Sequence, residues 1–289
     1  MKKFLILIIS SFLIITSSGC FKKDNFENIT IYTTNYPTEY ITNYIYGAHS
    51  TIYSIYPNGT NTKKYSLTKK QIKDYSKSDM YVFNGLNSKE QEYLIEMVDH
   101  NKNLKMIDTT QSMEITYGEE ELWLDPSNFL MTALNIKENL LEYITNHYLI
   151  EEINTNYDDL KIKISNIDAK LKLMSESANK KTIVVDTKTL KFLNKYGFNI
   201  ISLEEDETLT EKTITNVESS IKNGSIKYIY TFDKENLNET VKKLIENTKV
   251  EIIELHNLSV ITDKQKSEKE DYITLMNDNN ELLKKELYN

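Results

Sequence analysis

The 289-residue chain is 39% hydrophobic and 27% charged, with a formal net charge of −8, which supplies enough apolar residues for a real core and excludes a disordered chain. It is acidic and contains no arginine, so it lacks the planar fork that reads guanine, which argues against a nucleic-acid binder. One cysteine and seven glycines, with neither GxGxxG nor GxxxxGK[ST] present, exclude a disulfide framework, a cysteine-rich zinc module, a CxxC redox site and the glycine-rich phosphate loops.

The chain opens with Met1-Lys2-Lys3, an apolar run over residues 4–15, and Thr16-Ser17-Ser18-Gly19-Cys20. Two lysines, a short apolar run and small residues predict a secretory signal peptide over residues 1–19. The run is shorter than the about 20 residues that a spanning helix needs. Cys20 closes the small-residue stretch and resembles the cysteine of a bacterial lipobox. Ser18 and Gly19 fit that pattern, while Ser17 stands where an aliphatic residue is usual. The resemblance implies that Cys20 is acylated and holds the chain on a membrane surface, with residues 20–28 as its lipidated tether.

Residues 29–33 alternate and are rich in β-formers, which predicts a strand. Pro37 suits the first turn of a helix whose Tyr40, Ile41, Tyr44 and Ile45 share a face. Residues 51–56 alternate again, and Pro57-Asn58-Gly59 is a turn signal. A short helix over 66–76, capped by Ser66 or Thr68, precedes strand 80–83, helix 88–98 and strand 104–107. Asp125-Pro126-Ser127-Asn128 starts a helical stretch that runs to about residue 174. Neither Gly nor Pro interrupts 127–196, and Ile153, Leu160, Ile164, Ile167 and Leu171 recur at threes and fours. A stretch this long between two α/β segments reads as a brace between lobes.

Beyond it, strands are predicted at 182–186, 200–203, 228–231 and 250–255, with helices at 189–196, 210–223, 236–246 and about 269–287. Gly197 and Gly224 stop two of them. The fold class is α/β: two lobes with mostly parallel sheets joined by a long backbone helix. The expected divisions are 29–147 for the N-terminal lobe, 148–180 for the linking helix and 181–289 for the C-terminal lobe.

Six collinear segments carry a resemblance. They are Thr33-Thr34-Asn35-Tyr36-Pro37; Tyr56-Pro57-Asn58-Gly59 through Tyr65; Lys77-Ser78-Asp79 with Val82-Phe83-Asn84-Gly85-Leu86; Leu122-Trp123-Leu124-Asp125-Pro126; Phe192 through Tyr196-Gly197; and Tyr272 through Met276 with Asn280. Together they resemble the solute-binding lipoproteins of zinc and manganese ABC transporters. That family implies two α/β lobes on one rigid helix, with the ion held between them and little hinge motion. It also implies an ABC permease and its ATPase as partners, a lipid anchor on the extracytoplasmic face of a bacterial cell membrane, a monomer, and no catalysis. The zinc or manganese ion is then the transported ligand.

The family's cation ligands are histidines and carboxylates. Comparison residue by residue puts Lys63 at the first ligand position, Glu121 at the second, Asp186 at the third and His256 at the fourth. Glu121, Asp186 and His256 have the donor chemistry for a metal, and two oxygen donors with one imidazole suit manganese at least as well as zinc. Lys63 departs from the pattern, because a charged ammonium has no lone pair to give. Two readings follow. Either three protein ligands with a water or a neighbour such as Glu119 or Glu120 hold the ion, or Lys63 pairs with Glu121 and Asp186 as an internal counter-ion and replaces the metal. The second leads to a surface lipoprotein that acts in adhesion or binds another ligand.

The remaining histidines, His49, His100 and His147, read as surface residues near element ends. Trp123 reads as a packing anchor, and Lys63-Lys64 and Lys69-Lys70 as solvent-facing runs. GxSxG is absent, and Glu121 with Asp186 as a glycosidase pair has no further support.

Overall fold

The computed structural model describes residues 26–288, so the expected signal peptide and Cys20 lie outside the described residues. Strands β1 (Ile29–Thr33), β2 (Ser50–Ser54), β3 (Met80–Phe83) and β4 (Lys105–Asp108) form a parallel sheet in the order β2-β1-β3-β4. Strands β5 (Thr182–Val185), β6 (Asn199–Ser202), β7 (Tyr228–Thr231) and β8 (Glu251–Glu254) form a second, in the order β6-β5-β7-β8. The inner strands are apolar on both faces: Met80, Tyr81, Val82, Ile183, Val184 and Val185 are all fully buried. That is the pattern of parallel strands covered by helices on both sides. In each sheet the chain crosses one way to its second strand and the other way to its third. A crevice therefore opens beyond the carboxyl ends of β1 and β3, and another beyond β5 and β7.

Local chemistry sets most helix starts. The Asn35 side chain accepts from Thr38 N–H ahead of α1 (Tyr36–Tyr46), with Pro37 in the first turn. Thr68 and Gln71 form a reciprocal capping box on α2 (Lys69–Tyr75). Asn87 accepts from Lys89 and Glu90 N–H at the start of α3 (Ser88–His100). A single turn, α4 (Glu121–Leu124), leads to Asp125, which caps α5 (Pro126–Tyr143).

The predicted continuous helical stretch is two helices. The backbone is extended at Ile144, and Asn146 recaps the chain for α6 (His147–Ser177) by accepting from Tyr148 N–H. An Asn side chain that bonds its own backbone competes with helix continuation, which explains a break without Gly or Pro. The predicted helix over 189–196 is a 3-10 segment, Lys188–Tyr196, ended by Gly197 at φ +96°. Then come α7 (Glu211–Lys222), α8 (Glu239–Asn247), the five-residue α9 (Asp263–Ser267), which the sequence reading did not include, and α10 (Tyr272–Leu287).

One core cluster runs through both lobes. It takes Ile29, Ile31 and Val82 from the first sheet, Ile183 and Val185 from the second, and the buried stripes of α5, α6 and α10. Leu160, Ile164, Ile167 and Leu171 of α6 are at most 1% exposed, and each such side chain contributes about 1.5–3 kcal/mol by leaving water. The opposite face of each sheet has its own cluster, under α2 and α3 in one lobe and under α7 and α8 in the other.

A strap over residues 255–262 stitches the lobes together. Ser259 C=O accepts from Tyr36 N–H and Ile261 C=O from Gly59 N–H, each at 3.0 Å. Gly59 sits at φ +70°, a conformation that favours glycine and lets this turn meet the strap. Asn58 donates to Asp263 at 2.7 Å, and Lys266 pairs with Glu39 at 3.0 Å.

Candidate functional site

The two crevices face each other and merge into one cleft of about 650 Å³. Its N-terminal wall is the turn over residues 59–63 and the loop over 117–120. Its C-terminal wall follows the ends of β5, β6 and β7, and the strap closes one side. Six carboxylates line it, on Glu119, Glu120, Asp186, Glu204, Glu205 and Asp233, facing two ammonium groups, Lys63 and Lys188.

Asp186 leaves β5 at its carboxyl end, and its N–H still donates to Tyr230 C=O at 3.0 Å. Its carboxylate accepts from the Thr231 hydroxyl at the end of β7. Burial pushes the Asp186 carboxyl up to about 6; the Thr231 bond pulls it down, and the charges of Glu204 and Asp233 raise it further. Lys63 sits on a turn built by Asn61, whose side-chain oxygen accepts from Lys63 N–H at 3.1 Å and Lys64 N–H at 3.2 Å. The Lys63 ammonium is paired with Glu120, not with the Glu121 and Asp186 of the counter-ion alternative. Glu119 is fixed by Asn84 and Asn87, both of which donate to its Oε1 at 2.9 Å.

Glu121 and His256 do not line the cleft. Glu121 Oε2 accepts from Thr116 N–H at 3.0 Å and Tyr117 N–H at 2.8 Å, so this carboxylate pins the loop that carries its neighbours. His256 belongs to the strap. Its backbone is clipped at both ends to the Asn279 side chain, at 2.8 and 2.7 Å, and its Nδ1 accepts from Leu258 N–H at 2.9 Å. That bond holds Leu258 at φ +61°. Burial lowers the His256 pKa, opposed by a bond to Gln265 and the charges of Glu270 and Glu254. Of the four aligned positions, then, Lys63 and Asp186 share the cleft, while Glu121 and His256 brace its walls. Among the described residues, no three His, Cys, Asp or Glu side chains stand close enough to hold a metal ion.

Glu120, which the sequence offered only as a neighbour of the ion, is the acid of the three that meets Lys63. Along a helical turn each residue rotates by about 100°, so consecutive acids point to different environments. Asp233, Glu204 and Glu205 were missed; the signal available for Asp233 was its place just after a buried strand, matching Asp186 after β5. Trp123 packs as expected, at 5% exposure, its indole N–H donates to Asn257 C=O at 2.6 Å, and the residue borders the cleft. His49 pairs with Glu152 at 2.9 Å, and His100 and His147 are exposed at helix ends, away from the cleft lining.

The family model described as "ZnuA: Zinc-uptake complex component A periplasmic" matches residues 31–286. The manganese ABC transporter substrate-binding lipoprotein scaA of Streptococcus gordonii is 24% identical over 227 residues, 73% of this chain and 73% of its own length. The zinc-binding protein AdcA of Streptococcus pyogenes serotype M1 is 21% identical over 288 residues, 89% of this chain but 55% of AdcA, so the match spans about half of that longer relative. Among solved structures, the Zn(II)-bound ZnuA-like domain of Streptococcus pneumoniae AdcA superposes with a TM-score of 0.72 at 20% identity, covering 91% of this chain and 100% of the domain. A crystal structure of ZnuA gives 0.70 at 16% identity, covering 90% and 99%.

Proposed function

Because the chain belongs to the family of the periplasmic component A of zinc-uptake complexes, we propose that it is an extracytoplasmic receptor that captures zinc or manganese and delivers it to the permease of an ABC transporter. In this reading the ion is cargo, the ATPase of the transporter drives its uptake, and the receptor performs no catalysis. Cys20 anchors the chain to the cell membrane, the receptor acts as a monomer, and residues 29–147, 148–180 and 181–289 are its lobe, linking helix and lobe.

The observation that carries the reading is the cleft itself: both topological switch points open into one acidic space. Asp186 is the donor we assign on its C-terminal wall, and Glu120 and Glu119 are those on its N-terminal wall. The expected ligands Glu121 and His256 would have to give up the loop and strap bonds described above to join them. Carboxylate oxygens favour a hard ion, so manganese is preferred over zinc. Calorimetric titration of the chain from residue 21 onward, which contains every described element, with manganese and zinc tests this. Micromolar or tighter binding that Asp186→Asn weakens at least tenfold is expected. No binding of either ion rejects the reading.

A second reading, a surface lipoprotein that binds no metal, is favoured by one observation: the Glu120 carboxylate already has a lysine partner. The same titration separates the two.

A further inference from the structure

We propose that Lys63 is a tethered competitor of the cargo ion: its ammonium and the ion contend for the same carboxylate, Glu120, so that Lys63 sets the affinity of the cleft. This rests on the receptor reading above and adds to it a residue that tunes loading.

The two partners of the ion pair sit in unequal surroundings. The Glu120 side chain is 10% exposed and that of Lys63 is 68% exposed. A carboxylate that deep needs a cation beside it, because an unpaired buried charge is costly. The lysine needs nothing in return, since its ammonium is strongly hydrated and its four-carbon stem is flexible. An ion pair with one partner mostly in water is weak and readily exchanged. A divalent ion brings twice the charge to the same carboxylate, so it prevails once it has shed enough water. The trade turns a lysine that cannot ligate a metal into one that regulates it.

The exchange needs only a side-chain swing. The backbone beneath Lys63 is held from three directions that do not involve its ammonium. Asn61 Oδ1 accepts from Lys63 and Lys64 N–H, Asn61 C=O accepts from Tyr65 N–H at 3.0 Å, and the Lys89 ammonium donates to Tyr65 C=O. The strap bond at Gly59 fixes the start of the turn. Glu120 is held by α4 and by the loop that Glu121 pins. Neutralising Lys63 therefore leaves both the turn and the carboxylate in place.

Lys64, the exposed neighbour on the same turn, is the control for a general change in cleft charge. Calorimetry with manganese chloride on wild type, Lys63→Met, Lys63→Gln, Lys63→Arg, Lys64→Met and Glu120→Gln makes the test. Expected are a gain of tenfold or more for Lys63→Met and Lys63→Gln and less than twofold for Lys63→Arg and Lys64→Met. Glu120→Gln should lose affinity, and the Lys63→Met gain should vanish when combined with it. Wild-type binding that neutralising Lys63 leaves unchanged or weaker overturns the competition while leaving the receptor reading intact. An equal gain from Lys64→Met overturns it too, as would a gain that survives Glu120→Gln. If wild type and all variants bind no ion, both readings fall. If wild type binds none and Lys63→Met binds, the lysine has closed the cleft to metal, and the receptor reading and the tuning role that rests on it are both overturned.

Discussion

Glu90 lies on α3, 2% exposed beside the cleft, and its Oε2 accepts from Asn84 N–H at 2.8 Å. Burial pushes its carboxyl up to about 8; the Asn84 bond lowers it, and the charge of Glu119 raises it again. The unfolded chain takes the ordinary value of 4.5, so between those values the folded state binds the extra proton and stability falls as pH rises. The contribution is whole below pH 4.5 and lost through pH 8, on the order of 3–5 kcal/mol. Asp186 adds a smaller fall in the same direction up to about pH 6. The urea midpoint should therefore drop between pH 5 and 9, and Glu90→Gln should flatten the drop above pH 6; parallel profiles for the two proteins would contradict the assignment. No spacing in the sequence marks Glu90, because its burial is made by residues from other elements. The same limit applies at the cleft. Asp186 was legible only through the family resemblance, by its distance from Gly197, whereas the choice among Glu119, Glu120 and Glu121 turns on a rotation within one helical turn. The orientation of His256 depends on Asn279, 23 residues away.

At the scale of elements, much could be read in advance. Asn35-Tyr36-Pro37 caps a helix, Thr68 caps another, and the short apolar runs became the inner strands. The 3-10 segment carries its own signal in hindsight: Leu190, Leu193 and Tyr196 recur every third residue, the period of three per turn. The break before Asn146 and the five residues of α9 are too local for a periodic pattern to register. The long helix α6 shows how period becomes energy. Ile164 is fully buried and Ile162, two residues earlier, is 62% exposed. Ile164→Ala should cost about 2–4 kcal/mol by opening a cavity, while Ile162→Ala should stay within about 0.5 kcal/mol. Chemical denaturation of the two variants checks this, and similar losses from both would refute the assigned face.

For the whole molecule, the continuous core and the strap oppose independent lobe motion. Besides the backbone bonds to Tyr36 and Gly59, the Thr189 hydroxyl donates to Tyr117 C=O at 3.2 Å and Lys195 pairs with Asp125 across the seam. The lobes should thus unfold together: midpoints from far-ultraviolet and near-ultraviolet circular dichroism should coincide, and two separated transitions would show that each lobe stands alone. The equal strand order of the two sheets explains why a topology was legible while the cleft's donors were not: sheet order follows from local crossovers, donor identity from how two halves meet. Trp123 stands at that meeting point, with its indole N–H given to Asn257 and its carbonyl receiving the Tyr272 hydroxyl. It is the sole tryptophan in a chain with 20 tyrosines. Red-edge excitation would therefore select one native fluorophore at the seam, and its emission could follow cargo arrival in the unlabelled receptor without any added dye.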